Sequence, residues 1–448
     1  MFNNICNFFQ KRTQWLHNNS LFLQRIDDII LPFILLTYFV STYMNSDVIG
    51  FFALIVMFLT VIKMLTKPGE KYICQGFEIW LILYFMLVVV SLFGSTLFTQ
   101  SLKGFFKTFI YIGFYFSTAL YIKDNLKKIP IILGTIALCT IAEGLIGVFQ
   151  STLHLEAIST WQDTTNLNPE DVISRVYGTL KPLNPNLYGG YLIAGLPIVI
   201  GSIFYFLYKH KVSMVIASLV SSIIVIYAIF QTGCRGAYLS MLLIFAVCFI
   251  LSAKFFWKKF KKIYLSIIGF SVCAITTVLI FVSSLRHRFL SIFAMRSDSS
   301  NSFRFNVYHS SIEMFKDNWL LGIGVGNKNF REIYGLYMKT GFDALSAYNI
   351  YLETAVESGI FALIAFLGFL ITVSYKALKA ILNNKNQEHI IYLCACVISI
   401  WGILFHGLVD TIYFRPQLQF LFWTYIGIIC ALLAQNNTSM NNGYYENN

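Results

Sequence analysis

The sequence predicts an all-α, polytopic integral membrane protein of about twelve transmembrane helices, with an amphipathic helical outer loop. Three observations carry that expectation. Apolar residues make up 57% of the chain and charged residues 12%, against about half and a quarter in soluble domains. The apolar residues fall into blocks close to the ~20 residues that cross a bilayer as a helix. Lysine and arginine gather in alternate loops between those blocks, the asymmetry that fixes orientation in a membrane.

Residues 1–27, opening MFNNICNFFQKRTQWLHNNS, hold basic residues but no cleavable apolar stretch, and read as an interfacial helix on the inner leaflet. Apolar blocks then place spans near 28–44, 48–66, 77–96, 102–122, 130–150, 188–208, 212–230, 236–252, 263–284, 350–373, 388–408 and 417–434. They form one membrane domain over 28–434, and the asparagine-rich tail 435–448 is expected to be disordered. One set of loops carries Lys11, Arg12, Arg25, Lys63, Lys67, Lys71, Lys123, Lys127, Lys128, Lys209, Lys211, Lys254, Lys258, Lys259, Lys261, Lys262, Lys376, Lys379 and Lys385, whereas the short loops and helix ends opposite hold only Lys103, Lys107, Arg235 and Arg415. Both termini are therefore expected in the cytoplasm, and the long loops 151–187 and 285–349 outside the cytoplasmic membrane.

This topology accounts for the net charge of +12 without a continuous basic face. The expected partner surface is the bilayer and not nucleic acid. Cytoplasmic loops are short and contain no phosphate-binding glycine loop, so chemistry is expected on the outer face. The nine cysteines include no CxxC pair and no Cys/His cluster, and no disulfide, metal site or cofactor is read from them.

The segment from Arg304 to Gly359 is the one long run that mixes charge, glycine and aromatics. Phe305, Val307, Ile312 and Phe315 recur at roughly helical spacing and predict an amphipathic helix ending near Asn318. A turn with Gly322, Gly324 and Gly326 follows, then a short helix over 327–337. The GIGVG turn follows no βα unit and is not a dinucleotide fingerprint.

Outward arginines stand where topology alone prefers none: Arg175 in SRVYGTLKPLNPNLYGGYL, Arg235 in QTGCRGAYLS, Arg286, Arg288, Arg296, Arg304 and Arg331 in the large loop, and Arg415 in VDTIYFRPQ. A guanidinium grips phosphate or carboxylate oxygens through paired hydrogen bonds; headgroup contact is the plainer reading. Asn184 and Asn186, with Pro182 and Pro185, set a turn at a helix start, which serves either an anion at the helix N-terminus or the turn alone. Lys107 and Glu143 lie inside the fourth and fifth spans, as an ion pair or as the lining of a polar cavity with Glu143 a proton acceptor. His406 and Asp410, four apart, share a helix face and either orient a proton acceptor or bond the helix end. His309 reads as solvated.

Jointly, SRVYGTLKPLNPNLYGGYL, QTGCRGAYLS, FRFNVYHSSIEMFKDNWLLGIGVGNKNF and YNIYLETAVESGIFAL resemble the O-antigen ligase and polymerase superfamily of bacterial membrane proteins, in order over roughly residues 100–430. RVYGTL with NPNLYGGYL, GIGVGNKNFREIYGLYM, ALSAYNIYLETAVESG and DTIYFRPQ are similar to the cyanobacterial-type branch assigned to bicarbonate transport. The resemblance implies a fold of the C-type glycosyltransferase class in the bacterial cytoplasmic membrane. It also implies a polyprenyl-diphosphate-linked glycan donor and a glycan or glycolipid acceptor. Arg175, Arg235 and Arg304 would clamp the diphosphate without a metal, in a substrate site expected to include Lys107, Asn184, Asn186, Asn349, Asp410 and Arg415.

One position departs from the family. The histidine that precedes the asparagine of its (H)NxxLxxxxExG stretch is Tyr348 here, before Asn349. A phenol with an ordinary pKa near ~10 is a poor base at neutral pH, so Tyr348 as a phenolate, His406 or Glu143 would have to take the acceptor's proton. The branch implies the alternative of bicarbonate transport, against which stand the lack of paired broken helices and the scarcity of midplane charges. A non-catalytic glycolipid-binding subunit fits the same residues.

Overall fold

A computed structural model describes residues 2–155, 175–281, 286, 290 and 299–445. Arg288, Arg296 and most of the loop over 151–187 lie outside the described residues. The described residues are mostly helical and include no strand. Its helices are α1 (Phe2–Asn19), α2 (Leu21–Gln24), α3 (Ile26–Ser41), α4 (Ser46–Thr66), α5 (Glu78–Gly94), α6 (Phe98–Asp124), α7 (Ile129–Thr152), α8 (Pro185–Tyr208), α9 (Val212–Gln231), α10 (Arg235–Phe281), α11 (Ser299–Asp317), α12 (Asn327–Tyr334), α13 (Ile350–Asn383), α14 (Gln387–His406) and α15 (Pro416–Tyr445). The last of these takes in part of the asparagine-rich tail.

Among the described residues, nine helices are long and apolar enough to cross a membrane, and the protein is an all-α, multi-pass membrane protein. The difference from twelve has local causes. The first and third expected spans are helices of only 16 and 17 residues. The eighth and ninth run together as α10, of 47 residues. A straight helix would hold Phe249 and Tyr264 about 22 Å apart, yet the Tyr264 hydroxyl meets the Phe249 carbonyl. The element therefore doubles back between them.

Helix starts follow their caps. Asn184, Asn349 and Asn386 each accept two backbone N–H groups in the first turns of α8, α13 and α14, supplying donors that a helix start otherwise leaves unpaired. At the centre lies α15, whose apolar residues from Leu418 to Ala434 are buried on all sides, as a helix apolar all round requires. Gly427 brings its backbone against α6, where an added Cβ would stand 2.8 Å from the Thr118 hydroxyl. Small residues at such crossings let helices approach where lipid offers no hydrophobic drive between them.

The segment between α10 and α13 carries, with the start of α13, a second small core of Val307, Met314, Ile323, Phe330, Tyr334, Ala344, Ala347 and Val356. It docks on α13 where that helix is interrupted at Gly359, which has φ 80°. There Ile323 and Gly324 donate backbone N–H groups to the Val356 and Glu357 carbonyls at 3.0 and 2.9 Å, and Ile360 donates to the Trp319 carbonyl at 2.9 Å. The glycine turn is thus a docked strap and not a nucleotide loop.

At the opposite, lysine-rich end, lysines that the sequence marked only for orientation form a buried network. The ammonium of the fully buried Lys63 lies 2.8 Å from both Asp27 and Asp124 and 3.5 Å from Glu70. Lys67 pairs with Asp27 at 2.9 Å and Lys123 with Glu70 at 2.8 Å. Removing one partner of a buried pair leaves charge uncompensated and typically costs ~3–5 kcal/mol. Lys63→Met is therefore expected to lower the thermal unfolding midpoint of the detergent-solubilised protein markedly, and adding Asp124→Asn to recover much of the loss. Equal midpoints for wild type and Lys63→Met would refute this role.

Candidate functional site

The site is built on a short non-helical segment, Arg175–Leu180, that leads into α8 between α7 and α9. Its backbone groups are met by side chains. The Gln150 amide accepts from the Tyr177 and Gly178 N–H groups at 3.1 and 2.9 Å and donates to the Gly178 carbonyl at 3.1 Å. Glu143 accepts the Thr179 N–H at 3.1 Å on one oxygen and the Thr179 hydroxyl on the other. Val176 donates to the Gln231 carbonyl at 3.1 Å. Gly178, at φ 63°, could not carry a Cβ without striking the Tyr188 ring.

This delivers Arg175 to the turn between α9 and α10. Its Nε donates to the Thr232 carbonyl at 2.8 Å and its Nη2 to Asn186 Oδ1 at 2.7 Å. The Asn186 amide nitrogen donates onward to Asp410 Oδ2 at 3.0 Å, and Asp410 Oδ1 takes the Thr411 N–H at 2.7 Å. The Thr411 and Ser346 hydroxyls, 2.6 Å apart, carry the chain into the outer loop.

Two further guanidiniums join. Arg235, 8% exposed, opens α10. Arg304, on α11, stands 5.9 Å from the Tyr348 ring centroid and has its Nε buried without a hydrogen-bond partner. Burial, and then the charges of Arg304 and Arg235, hold the Arg175 guanidinium below its usual range against opposing pulls from Cys234 and Tyr238. Three like charges so arranged favour a ligand that brings negative oxygens.

His406 closes α14 beside this cluster, 1% exposed. Its Nε2 lies 3.4 Å from Cys234 Sγ, while Nδ1 is buried without a hydrogen-bond partner. Burial pushes the Cys234 thiol up, but the His406 ring and the Arg175 charge outweigh it and leave the thiol below its usual range. Tyr348 sits at φ 49°, its carbonyl accepting the Tyr308 hydroxyl at 3.2 Å. Burial first, and Asp410 second, push its phenol up to about 12 against the pull of Arg304. That shift disfavours a phenolate at neutral pH.

The structure thus brings together Arg175, Arg235, Arg304, Asn186, Asp410, Tyr348 and His406. Other expected residues fall elsewhere. Lys107 is exposed on α6, whereas Glu143 points into the bundle onto Thr179, so the expected Lys107–Glu143 ion pair does not form. Glu143 instead holds the Arg175 segment. Asn184 and Asn349 are spent as helix caps, Asn349 also donating to the Leu408 carbonyl at 3.0 Å. Arg415 is half-buried before α15 and bears electrostatically on Tyr111 and Glu353. Arg331 pairs with Asp343 at 2.8 Å, Arg286 meets the Ile280 carbonyl at 3.1 Å, and His309 is exposed.

Sequence reasoning passed over Gln150, Cys234, Ser346 and Thr411. Glu353 and Glu357, in ETAVES, are two more that the sequence pattern did not mark. Both are buried and take backbone N–H groups of the outer segment, Glu353 from Ala347 and Glu357 from Gly326, each at 2.9 Å. Two carboxylates four apart in an apolar run were the available signal.

Fold and site together define a multi-pass helical membrane protein with a cluster of three arginines at one end of its bundle. Residues 220–367 match the O-antigen ligase family model, so this part of the chain is similar to that family. The match includes Arg235, Arg304, Tyr348 and Asn349 and stops short of Arg175, Asn186, His406 and Asp410. No curated protein sequence matches the chain.

Asn186→Asp keeps an acceptor for Arg175 but sets a second carboxylate against Asp410. One of two such groups has its pKa raised, so the native fold binds the extra proton and the pair's penalty grows as pH rises. The variant is expected to lose ~1–3 kcal/mol above neutrality and less in mild acid, read as thermal midpoints across pH. A loss that does not vary with pH would refute the contact.

Proposed function

We propose that the protein transfers or polymerises a glycan carried on a lipid diphosphate, at the outer face of the bacterial cytoplasmic membrane. The observation that supports it is the convergence of Arg175, Arg235 and Arg304 next to a buried imidazole, in a chain whose residues 220–367 match the O-antigen ligase family model. In this reading the guanidiniums hold the diphosphate oxygens and take up the charge that develops as the bond between anomeric carbon and phosphate oxygen breaks. The acceptor hydroxyl oxygen forms the new bond to that carbon. Its proton passes to His406, because Tyr348 holds its own proton too tightly and Glu143 is committed to Thr179. Preorganised donors at a developing negative charge are each worth ~10²–10³ in rate.

The same cluster would also hold bicarbonate, which keeps small-anion transport as the second reading; a glycolipid-binding subunit without catalysis is the third. A deletion strain complemented with wild type, Arg235→Ala, His406→Ala or Tyr348→Phe separates them, by surface polysaccharide on gels and by uptake of labelled bicarbonate. Expected are loss of polymeric glycan on deletion, a drop of ~10²-fold or more with Arg235→Ala and His406→Ala, near-normal glycan with Tyr348→Phe, and unchanged uptake. Intact glycan with reduced uptake would establish transport instead. Glycan lost on deletion but restored by every variant would leave only the non-catalytic subunit.

A further inference from the structure

We propose that α1 is a membrane-surface helix with three separate faces, one of them seated in the anionic lipid of the leaflet at the lysine-rich end of the bundle. The positive-inside bias makes that leaflet the cytoplasmic one.

The first face docks. Asn3, Cys6, Gln10, Thr13 and His17 recur at alternating intervals of three and four, which is one stripe of a helix. Gln10 donates to the Met64 and Glu70 carbonyls at 2.8 and 3.1 Å and accepts the Gly69 N–H at 3.2 Å. Thr13 donates to the Leu65 carbonyl at 2.8 Å, and Asn3 reaches the Tyr72 carbonyl at 3.4 Å. Cys6 is buried against Met64, Leu120 and Tyr72. From Asn3 to Thr13 the helix covers about 15 Å, yet these contacts all fall on the stretch Met64–Tyr72 and on Leu120. The helix therefore lies across the ends of α4 and α6 and does not run alongside them. Gln10, through three hydrogen bonds, pins it where the spans leave the bilayer, directly over the Lys63, Lys67 and Lys123 network.

The second face is polar. Asn4, Lys11, Gln14 and Asn18 are exposed on one stripe with Asn7, again at intervals of three and four.

The third face is apolar and uncovered. Ile5, Phe9 and Leu16 are 47%, 43% and 49% exposed, flanked by Phe8 and by Trp15. Arg12, in the midst of that stripe, folds its guanidinium over the Phe8 ring at 4.2 Å, and a side chain of this length can carry its charge from an apolar face to the interface.

Charge selects the occupant. Between Phe2 and Ile26 the chain carries Lys11, Arg12 and Arg25 and no acidic residue. A second copy of the same helix would be repelled, whereas an anionic headgroup is attracted by each such cation. An amphipathic helix with basic and aromatic residues, lying across the ends of spanning helices, buries its apolar side at the boundary between headgroups and acyl chains.

The test uses the full chain with Cys74→Ser and Cys273→Ser, spin-labelled singly at Ile5→Cys, Phe9→Cys or Leu16→Cys and at Asn4→Cys, Lys11→Cys or Asn18→Cys. Each is reconstituted in vesicles of phosphatidylcholine with phosphatidylglycerol. Labels on the apolar stripe are expected to be several-fold more accessible to oxygen than to a water-soluble nickel chelate, and labels on the polar stripe the reverse. Nickel access at both stripes would place α1 in water and overturn the proposal. Shielding of the apolar stripe from both quenchers would mean a protein surface, a second copy included, and would overturn it equally. An identical pattern in phosphatidylcholine alone would overturn the assignment to anionic lipid.

Discussion

Everything at the candidate site depends on an extended backbone segment held where a helical bundle leaves it no regular partner. Non-helical backbone at membrane level persists only where protein groups satisfy its donors and acceptors. Gln150, Glu143 and the Gln231 carbonyl do this for residues 176–179. With those bonds made, Arg175 emerges at a fixed point against Thr232, and Asn186 can reach it from the first turn of α8. The buried carboxylate of Glu143 thus acts on the site from a distance, by holding the segment that carries the arginine.

The second consequence concerns which donors stay available. Asp410 is the acid that comes into this cluster, and a direct ion pair with Arg175 would have consumed the guanidinium's fork. Asn186 stands between them, accepting from Arg175 with its oxygen and donating to Asp410 with its nitrogen. The scaffold thereby uses Arg175 Nε and Nη2. Arg304 keeps a buried Nε without a hydrogen-bond partner, and His406 keeps Nδ1 in the same state. Buried polar groups left without partners are costly.

Much of this was legible in the sequence, and the reasons are physical. Span positions follow from apolar length, which the bilayer dictates, so the boundaries of α4, α7 and α9 fall close to the expected ones. Arg175 and Arg235 were visible because cations on that side of the membrane run against the topological bias. What stayed hidden depends on which way a side chain points. Lys107 and Glu143 read as a pair from depth alone, but α6 turns its lysine outward while α7 turns its glutamate toward Thr179. Asn184 reads as a ligand or as a turn residue and Asn349 as a ligand, and in the structure both side chains cap a helix start. The meeting of Cys234 and His406 joins residues 172 apart in the chain, and no spacing rule reaches that far.

The break in α13 explains how the outer segment and the bundle come to share one site. An unbroken helix would bond the backbone groups around residues 356–360 within itself. At Gly359, whose φ of 80° L side chains rarely adopt, those groups turn outward and pair instead with Trp319, Ile323 and Gly324. An added Cβ there would run into the Leu320 carbonyl, so glycine is needed both for its angle and for the close approach. Glu357 completes the joint by taking the Gly326 N–H, and Glu353 does the same for Ala347, one residue before Tyr348. The two carboxylates therefore hold the backbone next to Tyr348 and the glycine turn against the kinked helix. A site assembled from a helical bundle and a separate small core needs such a joint to keep its charges in register, and the kinked helix supplies it from the same turns that enter the membrane.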